Sequence, residues 1–543
     1  MKCILEDSTK FVYVGPSSTH DHTEKVENKL RRRLLQLFKG NLISRSEYDR
    51  IRPVGSQRPR LYGLPKTHKP NVPLRPILSM VGSTRHKLAQ WLTELLKPVE
   101  EHYSHHTVQD SFTFSKLVQE FHHKHGFLCS FDIKSLFTNV PLVEVIDICA
   151  STLYASKQAP LNLTQSAFKE LLRFATTDVE FSFDNQVFRQ IDGVAMGSPL
   201  GPILANIFVG AMEEKLFSQF GKPPMYYRYV DDIFVLANNK QESASLLLAL
   251  NSLHPSLHYT SEHESDDKLA FLDVLVSREN GRFLTTVYRK PTFTGLYVRW
   301  NSFCSKRRKT NLISTLVHRA INICSPSKLA EELDNIKSIL ISNGYPTEVI
   351  EAYTNSKLNS INRPKQVGPT KCPVNIHLPY IGNVSDVFEK RITSAVAGCF
   401  GAVKLRVLFQ TKRLMPSAVK DALPIHMKSN IIYKYSCQCG SWYIGRTSQR
   451  LQARMKQHLP NVRRMQNNLS SSTSSSAIHE HLMSNPQCAA KHGDERWTIL
   501  SNGRSEFHLA VLESIYISSL DPPLCRQKKF VYKASLFFYR RGV

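Results

Sequence analysis

Two spacings of apolar residues divide the chain. Helical spacing runs through Glu24–Gly40, residues 85 to 100, residues 310 to 358 and the stretch His508–Leu520. Short runs rich in β-branched and aromatic side chains read as strands: Phe127 to about Asp132, Leu269–Val276, Phe283–Tyr288, Ile431–Tyr435 and Ser441–Ile444. In Tyr227–Ala237 (YRYVDDIFVLA) two such runs flank a tight Val-Asp-Asp turn. Leu61–Met80 is dense in proline and glycine yet apolar between them, which predicts an ordered, extended segment with tight turns. In Phe188–Glu214 a glycine-rich stretch leads to Ser198-Pro199, a turn opening a helix. Residues 1–57 read as polar and helical. A basic helix is expected from Ser448 to His458. Residues 355 to 425, with Pro364, Pro369, Pro373 and Pro379, read as a connector holding its own small folded part, and Ser470–Ser476 as a flexible loop. There are no internal repeats.

Length and charge narrow the class. A chain of 543 residues has room for two to four domains. A formal charge of +26 is foreign to most small-molecule enzymes and points to a polyanionic partner, nucleic acid first and a membrane surface second. No apolar run is long enough to span a bilayer, and Met1–Lys10 carries charges where a signal peptide needs an apolar core. The eleven cysteines are scattered and odd in number, as expected of reduced thiols inside a cell.

Candidate chemistry centres on Asp231 and Asp232. Two adjacent carboxylates between apolar strands are costly unless a divalent cation neutralises them, and hard oxygen ligands suit Mg²⁺; the pair alone reads equally as a solvated Asp-Asp turn. Asp132, near the tip of its strand, is a third candidate ligand; taken alone, such a residue is more often a strand-ending turn residue. Lys66, Lys69 and Arg75 are cations on a proline-set backbone, placed to stabilise phosphate charge or simply solvated. Gly193, Gly197 and Gly201 permit close backbone approach to a ligand, or helix packing. Arg289–Ser302 mixes cations and aromatics, a composition that tracks a nucleic-acid backbone while stacking on bases. Arg31-Arg32-Arg33 is an RNA contact or a solvated helix face, and Lys306-Arg307-Arg308-Lys309 a phosphate contact, a nuclear-import patch or a solvated turn. Cys437 and Cys439 form a Cys-x-Cys pair within sequence reach of His458, His479 and His481. Four N/S ligands, taken as Cys437, Cys439, His458 and His481, would suit a structural Zn²⁺, the alternative being two reduced thiols in a hairpin turn.

From about 61 to 302 the ordered motifs resemble those of a reverse transcriptase. FDIKSLFTNVP resembles the motif with the first catalytic aspartate, QIDGVAMGSPLGP the one lining the nascent base pair, and YVDD the catalytic turn. RKPTFTGLYVRWNS resembles the segment gripping the primer end, and GLPKTHKP with LRPI the finger motifs holding the triphosphate. The resemblance implies two Mg²⁺ ions bridged by Asp132 and Asp231 with Asp232 supporting. It implies Lys66 and Arg75 on the phosphates, and Phe137 as the side chain that clashes with a ribose 2′-OH. Gln190 and the turn at Gly197 would shape the site around template and dNTP.

The C-terminal segment resembles the GIY-YIG endonucleases. Ile431-Ile432-Tyr433 stands for the first motif, with Ile where the family has glycine, and Tyr443-Ile444-Gly445 matches the second. Arg454 lies on the following helix with His458 one turn later, and Glu513 falls where the family holds a single Mg²⁺. The resemblance implies that Tyr433 helps activate water while Tyr443 and Arg454 orient and neutralise the phosphate. Cys525 stands where an Asn is usual.

Reverse transcriptase followed by GIY-YIG nuclease on one chain resembles a Penelope-like retroelement protein. The implied architecture is α/β and multidomain: a right-hand polymerase of fingers, palm and helical thumb, then a small α+β nuclease. The expected bounds are a helical region at 1–57, fingers and palm at 58–302, thumb at 303–358, connector at 359–428 and nuclease at 429–543. The N-terminal region is short for that family, as in a truncated copy. The implied activity is target-primed reverse transcription in the nucleus after cytoplasmic synthesis. Its partners would be template RNA, target DNA with a primer 3′ end, and dNTPs, with no membrane. Two alternatives are telomerase-like extension of chromosome ends without nicking, and an inactive copy that only binds RNA. The intact Asp132, Asp231 and Asp232 argue against the latter.

Overall fold

The computed structural model describes residues 2–17, 21–67, 71–121, 125–156, 162–361, 371–410, 420–458, 476–490 and 493–525. Lys69 and most of the serine run lie outside the described residues.

A four-stranded antiparallel sheet forms the centre, in the order Met225–Tyr229, Asp232–Ala237, Phe127–Ile133, Tyr259–His263. The Asp232 strand is buried from Ile233 to Ala237, as its unbroken apolar run requires. Behind the sheet lies helix Leu200–Phe220, apolar on nearly all sides and buried at most positions down to Leu216. Helices His86–His102 and Leu142–Ala155 pack against it, and together these elements bury the largest apolar cluster of the molecule.

A second sheet has five strands in the order Phe11–Pro16, Gln186–Gln190, Val179–Phe183, Arg60–Pro65, Leu74–Ser79. Its first strand corrects the expectation of a purely helical N-terminal region. Phe11 and Val12 pair with Gln190 and Arg189, and Phe11 is buried edge-on against Phe181, so an apolar Phe-Val-Tyr-Val run found an open sheet edge. The Leu61–Met80 segment is an antiparallel hairpin in which Leu64 pairs with Arg75.

A three-stranded meander, Lys268–Phe271, Val274–Glu279 and Arg282–Val287, precedes three helices, Lys306–Ile323, Leu329–Ser342 and Thr347–Ile361. The Lys-Arg-Arg-Lys run forms the first turn of the first helix, capped by the Ser305 hydroxyl. Within the connector, parallel strands Cys372–Pro379 and Val403–Gln410 flank helix Asn383–Cys399. The C-terminal region builds a three-stranded antiparallel sheet in the order Trp442–Thr447, Ile431–Ser436, Trp497–Asn502. Helices Leu451–His458, Ala477–Ser484 and Glu506–Leu520 accompany it. Among the described residues no helix is long and apolar enough to cross a membrane.

Candidate functional site

Strand register brings the three aspartates together. Asp132 pairs directly with Asp232 across the central sheet, and Asp231 sits in the two-residue loop joining Tyr229 to Asp232. Val230, the other loop residue, has φ +56°, a left-handed conformation that a β-branched side chain adopts only under constraint. The Asp231 carbonyl accepts a hydrogen bond from the Ile133 amide at 3.0 Å, tying the turn to the strand that carries Asp132.

Charge is crowded there. Burial raises the Asp231 carboxyl above its ordinary range and Asp132 adds to the rise, while Arg75 and Lys66 oppose it. Asp232 is pushed up to about 6 by withdrawal from water, then by Asp231 and Asp132, with Lys290 opposing. Three carboxylates converging from adjacent backbone positions form the oxygen donor set that a hard divalent cation fits. Lys66 and Arg75 reach this charge from the tip of the Leu61–Met80 hairpin, where the Lys66 amide donates to the Pro73 carbonyl at 2.9 Å.

Other expected polymerase residues lie alongside. Phe137 is half-buried, and a Cβ placed on Gly201 would lie 3.6 Å from its ring. Its carbonyl accepts from the Val194 amide at 2.6 Å, joining the Asp132 segment to the glycine-rich loop. Gln190 is buried, with its amide nitrogen donating to the Asp192 carbonyl at 3.1 Å. Gly197 has φ +114°, and a Cβ there would meet the Leu78 carbonyl at 2.3 Å. The same Leu78 donates its amide to the Met196 carbonyl at 2.7 Å. A Cβ on Gly193 would meet the Thr138 carbonyl at 2.5 Å. The close approaches at Gly193 and Gly197 are therefore to the chain's own backbone, fastening the loop to the outer sheet and to the Asp132 segment.

A second cluster lies on the C-terminal sheet. Tyr433 is buried, with its hydroxyl 2.7 Å from His458 Nε2 and accepting from Arg454 Nε at 3.2 Å. Tyr443 lies beside both, its ring 6.3 Å from that of Tyr433 and 5.6 Å from that of His458. A Cβ on Gly445 would meet the Tyr433 hydroxyl at 2.5 Å, so glycine there lets the two tyrosines converge. Burial pushes Tyr433 up to about 12, against the pull of Arg454. Burial, helped by Arg454, brings His458 down to about 3. Burial also raises the Glu513 carboxyl, while Arg446 holds it down through a backbone bond of 3.1 Å and a guanidinium contact of 3.4 Å. Ile431 is buried in the sheet between Thr447 and Asn502, and Cys525 Sγ lies against the Ile444 backbone.

The metal-ligand expectation needs one correction. Cys437, Cys439, His481 and Cys488 bring their donor atoms within 4.8 Å of one another, whereas His458 is spent on Tyr433. Helix Leu451–His458 presents its last residue to the tyrosines, and Cys488, on the short helix Pro486–Ala490, takes the vacant position. Three thiols and an imidazole fit a tetrahedral cation.

Three further residues escaped sequence reasoning. Lys290 lies near Asp232 and was visible only as one cation in a basic-aromatic stretch. Arg228 and Glu213 form a fully buried ion pair behind the turn. Their signal was present: one cation inside an apolar strand and one acid within an apolar helix call for each other.

The reverse transcriptase (RNA-dependent DNA polymerase) family matches residues 67–276, a span holding all three aspartates, and the animal helix-turn-helix domain family matches residues 296–355. No curated protein matches the chain. Among solved structures it is similar to telomerase from Candida albicans in complex with a TWJ fragment of telomeric RNA, at 13% identity and TM-score 0.39, covering 56% of each chain. Apo telomerase from Candida tropicalis gives 12% identity and TM-score 0.37 over 56% of this chain and 58% of that one. The Sicinivirus 3Dpol RNA-dependent RNA polymerase gives 12% and 0.38 over 58% and 71%. The match thus spans little more than half of each telomerase, and at such scores these likenesses add nothing to the family match. The chain contains a reverse transcriptase domain over residues 67–276 and an animal helix-turn-helix domain over residues 296–355.

Proposed function

We propose that the protein is an RNA-directed DNA polymerase of a Penelope-like retroelement, with an attached GIY-YIG endonuclease that nicks DNA and supplies the primer. The convergence of Asp132, Asp231 and Asp232 inside the matched domain carries the polymerase reading. The reaction joins the primer 3′-oxygen to the α-phosphorus of a dNTP, breaks the bond to pyrophosphate and releases the 3′-OH proton. Asp132 and Asp231, with Asp232 beside them, would hold two Mg²⁺ ions; when bound, these acidify the 3′-OH and neutralise the leaving pyrophosphate. Lys66 and Arg75 draw the triphosphate to the aspartates. Phe137 narrows the space for a ribose 2′-OH, favouring deoxynucleotides. Template RNA, target DNA and dNTPs are the partners, and work on chromosomal DNA places the protein in the nucleus.

The nuclease reading rests on Tyr433, Tyr443 and Arg454 gathering at the C-terminal sheet, with Glu513 close enough to act electrostatically on all three. Tyr433 is polarised between the Arg454 guanidinium and neutral His458, as suits a group that orients water. Glu513 would hold one Mg²⁺, and to do so its carboxylate must leave Arg446. The Cys437, Cys439, His481 and Cys488 cluster would hold a structural Zn²⁺ that staples the domain. The occupied state of Glu513 favours a second reading, extension of an existing DNA end without nicking.

A supercoiled plasmid, template RNA, labelled dNTPs and Mg²⁺ test both. Wild type should nick the plasmid and extend the nick. Asp231→Ala should lose at least about 10³-fold in synthesis and keep nicking, and Glu513→Ala should do the reverse. Synthesis on a supplied primer without nicking by wild type would leave the end-extending reading. RNA binding with no synthesis would sink the polymerase proposal.

A further inference from the structure

The turn that carries Asp231 is strained, and something must hold it. Arg228, two residues before Val230, is wholly buried. Its Nε and Nη2 donate to the two Glu213 carboxylate oxygens at 2.7 and 3.1 Å. Tyr226 donates its hydroxyl to the same carboxylate at 2.9 Å. The remaining nitrogen, Nη1, donates to the Asn206 side-chain oxygen at 3.2 Å and reaches the Val230 carbonyl at 3.4 Å. Asn206 is itself fixed by donating to Glu100 at 2.8 Å. The backbone of Arg228 is gripped as well: its amide donates to the His106 carbonyl at 2.7 Å and its carbonyl accepts from the Val108 amide at 2.8 Å.

Glu213 and Asn206 both stand on helix Leu200–Phe220, which also supports the glycine-rich loop at its start. The guanidinium therefore links the central helix to the carbonyl on one side of Asp231, while the Ile133 amide holds the carbonyl on the other. A Lys could carry the charge but could not serve Glu213, Asn206 and Val230 in one plane.

We propose that Arg228, oriented by Glu213, is a positioning residue. It holds Val230 in its left-handed conformation and so sets where the Asp231 carboxylate stands relative to Asp132 and Asp232. This rests on the polymerase reading of those carboxylates. The network touches no substrate and acts only through the turn.

The test needs a variant that folds. Arg228→Ala strands a buried carboxylate and risks the core. Arg228→Met with Glu213→Leu replaces the pair by apolar side chains of similar length, a change that buried ion pairs often tolerate. Primer extension and Mn²⁺ binding by electron paramagnetic resonance are read on wild type, the double variant, Arg228→Lys and Asp231→Asn, counting only the Mn²⁺ signal that Asp231→Asn removes. At an unchanged melting temperature, the double variant should lose about 10²-fold in kcat with KM for dNTP nearly constant, and that Mn²⁺ affinity should weaken about tenfold. Arg228→Lys should recover only part of either. Wild-type kcat and Mn²⁺ affinity in the folded double variant would overturn the inference. A wild type that binds Mn²⁺ at Asp231 yet extends no primer would instead sink the polymerase reading and leave positioning to be judged on affinity. No Asp231-dependent Mn²⁺ binding in wild type would remove both.

Discussion

His458 shows how a single buried side chain ties stability to pH. Burial first, and the Arg454 guanidinium second, hold its pKa near 3, below the ordinary value of about 6.5. Between those values an unfolded chain binds a proton that the folded chain refuses. Stability therefore rises with pH through this window; it is fully present above about 6.5 and is lost as pH falls towards 3. The full window is worth on the order of 5 kcal/mol. Protonation would put a proton on both ring nitrogens, including the Nε2 that lies 2.7 Å from the Tyr433 hydroxyl, and place a buried charge beside Arg454. Thermal melting at pH 7.5 and 4.5 should show a marked acid destabilisation, and His458→Asn should flatten that slope by up to one proton. An equal slope in the variant would mean that His458 is charged in the fold.

At the scale of elements, what the sequence disclosed was local. The double-aspartate turn was readable because its flanks alternate or run apolar, and Asp132 because it closes such a run. The strand Phe11–Pro16 was not, because its stability comes from an edge, Gln186–Gln190, far away in the chain. Glycine needs were visible, but their recipients, Leu78 and Thr138, were not. Cys488 was missed for the same reason: nothing near it announces a site, and only the fold carries helix Pro486–Ala490 to Cys437 and Cys439. That cluster yields a prediction. Protein purified without chelator should hold about one Zn²⁺ per chain by mass spectrometry, as one tetrahedral site allows. Cys488→Ser should lose most of it and lower the melting point of the C-terminal region, while His458→Ala should keep it. Retention of zinc by Cys488→Ser, with loss in His458→Ala, would reverse the assignment.

The whole molecule adds what neither site has alone, a fixed relation between them. Arg450, at the start of the helix bearing Arg454, is buried against residues near the N-terminus. It donates through Nε to the Ser56 carbonyl at 2.6 Å and pairs with Asp21, which also meets Arg58 at 3.3 Å. Asp21 is held down to about 2, burial opposing and the Arg450 guanidinium favouring its charge. Gly55, at φ +64°, has no room for a Cβ because the Ser448 carbonyl would lie 2.2 Å away. Nearby, Arg60 donates to the Asp421 carbonyl at 2.8 Å, and Lys420 lies over the Tyr62 ring at 4.7 Å. The connector is thus strapped to the outer sheet whose hairpin carries Lys66 and Arg75. Such docking matters if a nick made at one site must reach the other, because it turns a second encounter into an intramolecular one. Arg450→Ala, which leaves Asp21 with Arg58, should change nicking alone and primer extension alone by no more than about twofold. Extension of self-made nicks, chased with excess unlabelled plasmid, should fall about tenfold as effective concentration is lost. Small-angle scattering should show an expanded particle. An unexpanded variant that extends its own nicks as wild type does would show that the docked arrangement plays no part in handing over the DNA end.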